Sequence, residues 1–210
     1  MQPNILLEGV STTVAVGGTP VSLNTSHRTG IQVMRLVDDP AVSEEEKAKM
    51  LLVLYFARLE VPGEALRLPQ AVSANPQEAV EAALSFFNLN EPRPPVPASS
   101  RQAAGVRTFD WDWDAGRVLA DFQREYGIDL TNPRTRLHWW RFWSLFRGLS
   151  EGSQTMEAIR VRAAVPDEKR MGREAVEDLM RRKAALMLPA RTKEEAAQLT
   201  SIRYRWALDM

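Results

Sequence analysis

The chain has no cysteine among its 210 residues. That excludes thiol catalysis, a disulfide framework and cysteine-ligated zinc, and it fits a reducing compartment. Histidine is scarce: His27 and His138 are the whole supply, too few for a multi-histidine metal site within one chain. No H-E-x-x-H, Walker A or G-x-G-x-x-G pattern occurs. Long apolar runs are missing too. The longest, Met50 to Ala57, falls well short of the roughly 20 residues that cross a bilayer. Met1 to Gly9 has neither a basic flank nor a long apolar core, so it does not read as a signal peptide. These absences lead us to expect a soluble, intracellular protein that uses no membrane and no cofactor.

An excess of charge is also lacking. Lys plus Arg number 27 and Asp plus Glu 27, unlike the basic excess of a dedicated nucleic-acid binder. The distribution is uneven, however. Residues 1–100 carry 7 Lys/Arg against 11 Asp/Glu, which leaves 20 against 16 beyond residue 100. Halves of about −4 and +4 suit contact between copies or with a partner. Hydrophobic content of 44% and charged content of 26% are those of an ordinary globular protein, in one large domain or two small ones.

What is abundant is aromatic surface in one place. His138-Trp139-Trp140-Arg141-Phe142-Trp143-Ser144-Leu145-Phe146 holds three of the six tryptophans and two of the seven phenylalanines. Rings of this size dominate cores and interfaces. The pattern predicts a helix from Pro133 to Gly148 with Trp139, Phe142, Trp143 and Phe146 on one stripe. Trp140 falls off that stripe, between Arg136 and Arg147, which makes these three candidates for partner contact. The stripe itself reads as the core of the second half, packed against Trp111, Phe122 and Tyr126.

The rest of the chain reads as mainly α, multi-helix, with a small N-terminal β-hairpin. Thr13–Val16 and Pro20–Leu23 flank Gly17-Gly18, a pair suited to a tight turn. A short helix, Ile31–Val37, follows. Ser43 with Glu46 forms a capping box for a helix whose body, Met50 to Ala57, is apolar on every face and so reads as buried all round. Asn75-Pro76 starts another, with a stripe of Ala79, Val80, Ala83, Leu84 and Phe87. Pro92, Pro94, Pro95 and Pro97 then make a semi-rigid linker. Asp110 to Asp114 opens a helix that Gly127 ends. Helices over about 153–164 and 167–187 follow, the second basic, with Arg181 and Arg182 as further candidate contacts. After Pro189, Thr192 and Glu195 start a last amphipathic helix that carries Tyr204 and Trp206, also candidate contacts. The organisation expected is 1–91, hairpin and helices; 92–105, linker; 106–188, aromatic-rich helices; 189–210, a tail helix.

Three motifs resemble chemistry. Gly148-Leu149-Ser150-Glu151-Gly152 matches the nucleophile elbow, which needs a strand-to-helix turn on a parallel sheet; here it follows a helix. Asp110, Asp112 and Asp114 open like a calcium loop, but Ala115 and Asp121 stand where Gly and Glu are required. Trp140-Arg141 and Arg203-Tyr204-Arg205-Trp206 could stack bases and meet phosphates, against which stands the zero net charge. No catalytic constellation is found, and the expectation is a non-enzymatic protein.

Tyr126-Gly127-Ile128-Asp129-Leu130, Leu137 to Phe142, and Leu145 to Leu149 resemble the bacteriophage gene-product-fifteen family of tail genes. Leu23 to Arg28, Ala82 to Phe87 and Phe109 to Asp112 are similar more loosely. The likeness runs from about residue 10 to 188. Ser26-His27 departs from the family's usual Asp-Phe, and Pro189 to Met210 matches nothing. The resemblance implies a phage tail assembly chaperone. It would hold the tape-measure protein soluble in the host cytoplasm, help major tail protein subunits assemble, self-associate, and be absent from the mature virion. A structural component of the tail or its connector is the alternative, and a nucleic-acid-binding module a weaker one.

Overall fold

A computed structural model describes residues 6–7, 9–58, 66–89, 107–197 and 200. The Pro-rich linker, Tyr204 and Trp206 lie outside the described residues. The chain forms two compact units. Unit 1 combines Met1–Pro94 with Pro133–Gly148, and unit 2 combines Pro95–Asn132 with Leu149–Met210. Mainly helical structure with one N-terminal hairpin is what the sequence led us to expect. The placement of the aromatic segment is not: it belongs to unit 1, not to a 106–188 part.

Unit 1 begins with antiparallel strands β1 (Thr13–Val16) and β2 (Thr19–Ser22). Gly17 and Gly18 both take positive φ, 57° and 70°, the backbone of a primed two-residue turn that only glycine adopts without strain. A lone hairpin is marginal in water, and this one is anchored. The Gly17 N–H donates to Glu78 Oε2 at 3.0 Å, and Arg58 Nη2 donates to Ser22 O at 2.8 Å.

Helix α1 spans His27–Val37 and α2 spans Glu44–Phe56. The Ser43–Glu46 capping box starts α2, as expected. Its body is not buried all round, however. Leu51, Leu52, Tyr55 and Phe56 are buried, while Met50 is 49% and Val53 44% exposed. The uniform apolarity hides a helix with one solvent side. A short α3 (Gln70–Ala74) leads to α4, Pro76–Phe87. Asn75 makes no side-chain cap to α4; its Nδ2 donates instead to Ala71 O at 3.0 Å. The buried face of α4 is Ala79, Ala83 and Phe86, and Leu84, expected on the stripe, is exposed.

In unit 2, α5 runs Ala115–Tyr126 and ends on Gly127 at φ 65°. Asp110–Asp114 form a turn, not the first turn of that helix. The Asp110 carboxylate accepts the N–H groups of Asp112 and Trp113 at 2.8 and 2.9 Å, which holds the backbone out of the helix. α7 spans Gln154–Ala163, capped by Ser153. The 167–187 helix is two pieces, α8 (Glu168–Met171) and α9 (Arg173–Ala185). They are separated by Gly172 at φ 79°, ψ 158°, a conformation that glycine permits and a helix cannot contain.

Both ends of α7 are satisfied from neighbouring helices. The fully buried Asp121 of α5 accepts the N–H groups of Gln154 and Thr155, at 3.1 and 2.8 Å. Lys183 of α9 donates to the carbonyls of Val161, Arg162 and Ala164. An acid at the N-terminus and a cation at the C-terminus oppose the helix dipole in the favourable sense. Burial pushes the Lys183 amine below its ordinary range. Buried Arg162 forms a two-pronged pair with buried Asp114, at 2.6 and 2.9 Å, and reaches Leu186 O and Thr108 O.

Candidate interaction surface

The Leu-His-Trp-Trp block sits where two helices start together. Ser26 and His138 are bridge partners. The His27 N–H donates to Leu137 O at 2.8 Å, and the Trp139 N–H donates to Thr25 O at 2.7 Å. The bridge ends in two caps, Ser26 for α1 and His138 for α6, which spans Trp139–Arg147. This is why α6 starts at Trp139 rather than at Pro133: residues 135–137 form no helix and His138 is extended to make the bridge. His138 Nδ1 accepts the Trp140 N–H at 3.1 Å while Nε2 lies 2.8 Å from Ser11 O. Both bonds at once require the neutral ring with its proton on Nε2. Burial lowers the His138 pKa, and the positive charge of Arg141 adds to that, against the opposing hydrogen bond to Ser11.

The tryptophans of α6 are core. Trp139 stacks on Phe87 at 5.3 Å and donates from Nε1 to Phe87 O at 2.9 Å. Trp140 stacks on Phe86 at 5.2 Å and donates to Phe86 O at 2.8 Å. Trp140 is 1% exposed. It is therefore not available to a partner in this fold, contrary to its reading as an off-stripe contact residue. α6 packs on α1 as well as lying beside α4, so it buries more than one face. α1 meets Trp139 at Gly30, where a Cβ would stand 2.6 Å from Trp139 Cζ3 and closer still to Cε3 and Cδ2.

Arg136 and Arg147 are exposed in unit 1, and Arg181 and Arg182 are exposed on α9 in unit 2. Arg181 lies 3.6 Å from Asp178, and Arg182 pairs with Glu157. Arg136 and Arg147 have no ion-pair partner among the described residues, nor does Arg141. The fold also brings Arg28 beside this segment, where its Nη1 donates to Thr135 O at 3.3 Å, between Arg134 and Arg136. Sequence reasoning missed that gathering. The available signal was that residues 24–37 and 130–149 contain six arginines and no acid.

The motifs with a chemical look are otherwise employed. Ser150 donates its hydroxyl and its N–H to Glu125, at 2.8 and 3.0 Å. Those bonds hold the Glu125 carboxyl below its ordinary range, which makes it a weak base. Ser150 lies in the loop between α6 and α7, not on a strand-to-helix turn. Asp110 binds Arg107 and Arg191, and Asp114 binds Arg117 and Arg162. Burial alone would raise the Asp110 carboxyl, but the Trp113 and Asp112 N–H groups and Arg191 hold it low. Among the described residues no group of three His, Asp or Glu could hold a metal ion, and no helix is long and apolar enough to cross a membrane.

Arg107 and Arg191 tie the start of the 189–210 tail to the Asp110 turn. Arg107 bonds Pro189 O and Glu195, and Arg191 bonds Asp110. Residues 193–197 are helical, with the Glu195 N–H donating to Thr192 Oγ1 at 3.1 Å. The start of the tail is thus clasped to unit 2.

No curated protein and no solved structure matches the chain. A family model does match, over residues 7–188. Its span takes in the Ser26–His138 bridge, the buried Trp139-Trp140 pair and the caps of α7, and on that match the chain belongs to the Bacteriophage Gp15 protein family.

Proposed function

We propose that the protein is a non-enzymatic phage tail assembly chaperone that binds the tape-measure protein in the host cytoplasm and helps tail-tube subunits assemble around it. Membership of the Gp15 family is the observation that carries this reading. The surface of unit 2 supports it. Val165 is 75% exposed, Trp113 55%, Met171 43% and Met187 41%. Exposed methionines are soft and repack against varied helical segments, as a holder of an aggregation-prone client requires. Arg181 and Arg182 on α9, each beside a carboxylate of the chain itself, offer exposed ion pairs that acidic positions of such a client can exchange with.

The test is co-expression with the tape-measure product of the same genome. The expected result is a soluble client that co-purifies with the chain, and a chain missing from purified virions by mass spectrometry. An insoluble, unbound client refutes the proposal. Presence of the chain in finished particles at stoichiometric level makes it a structural component of the tail instead.

A further inference from the structure

Unit 1 is electrically lopsided. Around the paired helix starts the structure gathers Arg28, Arg134, Arg136 and Arg141, each within four residues of the Ser26–His138 bridge, and all of them are exposed. Arg35 and Arg147 extend the same charge along α1 and α6. No acid interrupts residues 24–37 or 130–149. The local field is felt by the fold itself, since Arg141 helps to lower the His138 pKa. Elsewhere in unit 1 the sign reverses. The other described residues carry Asp38, Asp39, Glu44, Glu45, Glu46, Glu78 and Glu81 against Lys47, Lys49, Arg58 and Arg67. Glu44, Glu45 and Glu46 stand exposed in the first turn of α2, Glu44 paired with Lys47 at 2.9 Å and Glu45 with Lys49 at 2.6 Å, which leaves the start of that helix one charge negative. Glu46, Met50 and Val53 recur at i, i+4 and i+7, so the acidic start continues into the exposed apolar side of that helix.

We propose that the arginine cluster at the α1–α6 start is the docking surface for the acidic, partly apolar face of α2 in a second copy of this chain, so that copies associate head to tail. Charge complementarity argues for this occupant. A guanidinium group meets a carboxylate with two parallel bonds, and both halves of the match are present on one unit. A contact between two different faces of one molecule is heterologous, so repeated it gives rings or filaments rather than a closed pair. Nucleic acid fits less well. Trp139, Trp140 and Phe142 beneath the arginines are buried, which leaves no open ring of theirs for bases to stack on. The proposal does not depend on the client reading.

Sedimentation velocity of the full chain tests it. At about 50 mM salt the weight-average mass should be at least about twice the monomer's, and it should fall to the monomer's at about 500 mM, where screening acts over a few ångströms. Arg136→Glu with Arg141→Glu, and separately Glu44→Arg with Glu45→Arg, should each give a monomer at low salt. Mixing the two variants should restore assembly, because each junction between unlike variants again pairs opposite charges. Far-UV circular dichroism checks that each variant is folded, and Arg136→Gln with Arg141→Gln gives a milder test, expected to lower the mass partially. A wild-type chain that is monomeric at low salt overturns the proposal, whether or not it retards duplex DNA in a gel. So does assembly indifferent to both reversals, or folded variants that fail to reassemble on mixing.

Discussion

Replacing Gly30 by alanine should unfold unit 1 more readily, against the usual effect of that change in a helix. Gly30 lies inside α1, where alanine would normally gain up to about 1 kcal/mol. Here the added methyl would fall on the six-membered ring of the Trp139 indole, 2.6 Å from Cζ3. Carbon atoms rest about 3.5–4.0 Å apart, so the ring or the helix must shift by an order of 1 Å. The ring has little freedom. It is 1% exposed, it stacks on Phe87 and Trp143, and its Nε1–H is bonded to Phe87 O. Overpacking costs about 1–3 kcal/mol. Weakening the indole hydrogen bond adds about 1, and disturbing a stacked pair adds about 1. After subtracting the helix gain, the net loss is about 2–4 kcal/mol. Urea unfolding followed by tryptophan fluorescence and far-UV circular dichroism measures it. Gly116→Ala in α5 is the control, since nothing lies within 4 Å of its Cβ position, and it should be neutral or stabilise by up to about 1 kcal/mol. A Gly30→Ala protein as stable as the Gly116→Ala one would refute the close approach of α1 and α6.

Tyr55 has a buried hydroxyl with no hydrogen-bond partner among the described residues, and burial raises its pKa. Tyr55→Phe should therefore stabilise the protein by about 1 kcal/mol in denaturant titration, and a comparable loss would show the hydroxyl to be bonded. The His138 pKa is depressed in the fold, so its contribution is complete above the unfolded value of about 6.5 and is lost as pH falls below it. Unit 1 should weaken on acidification from pH 7 to 5, and His138→Asn, which can still cap α6, should flatten that slope; an unchanged slope points to other groups. Asp114→Asn leaves the buried Arg162 guanidinium short of a counter-charge and should cost about 3–5 kcal/mol, read as an early unfolding step of unit 2; a loss below about 1 kcal/mol would mean the pair is solvated.

Local features were legible in the sequence. The Gly17-Gly18 turn, the Ser43–Glu46 box and the Gly127 cap each depend on residues within four positions of one another, and each forms as read. Features set by distant partners were not. Trp139 and Trp140 bond carbonyls more than 50 residues upstream, and no spacing rule names Phe86 and Phe87 as their neighbours. Trp140 looked solvent-facing because the stripe was drawn for a helix with one buried side, whereas α6 lies between two others. The Asp110 turn and the break at Gly172 were read as helix because the apolar spacing runs through both. Of the candidate contact residues, Arg136, Arg147, Arg181 and Arg182 do lie at the surface. The arginine cluster escaped notice because charge was summed along the chain, and the bridge that assembles it joins residues 26 and 138.

The route of the chain has a consequence for synthesis. Unit 1 needs residues 133–148, and unit 2 begins before them and resumes after them. A ribosome that has released residues 1–94 has therefore made a fragment without Trp139 and Trp140, so Phe86 and Phe87 wait for stacking partners that emerge about forty-five residues later. Neither unit corresponds to one uninterrupted stretch of the gene. The proline-rich stretch looks like a place to divide the protein, yet a cut there leaves the chain still passing between the units at 132–133 and 148–149. Of two fragments made separately, the first would lack part of the unit 1 core and the second would carry residues 133–148 without the rest of that unit, and the shortest piece that contains all of unit 1 is residues 1–148.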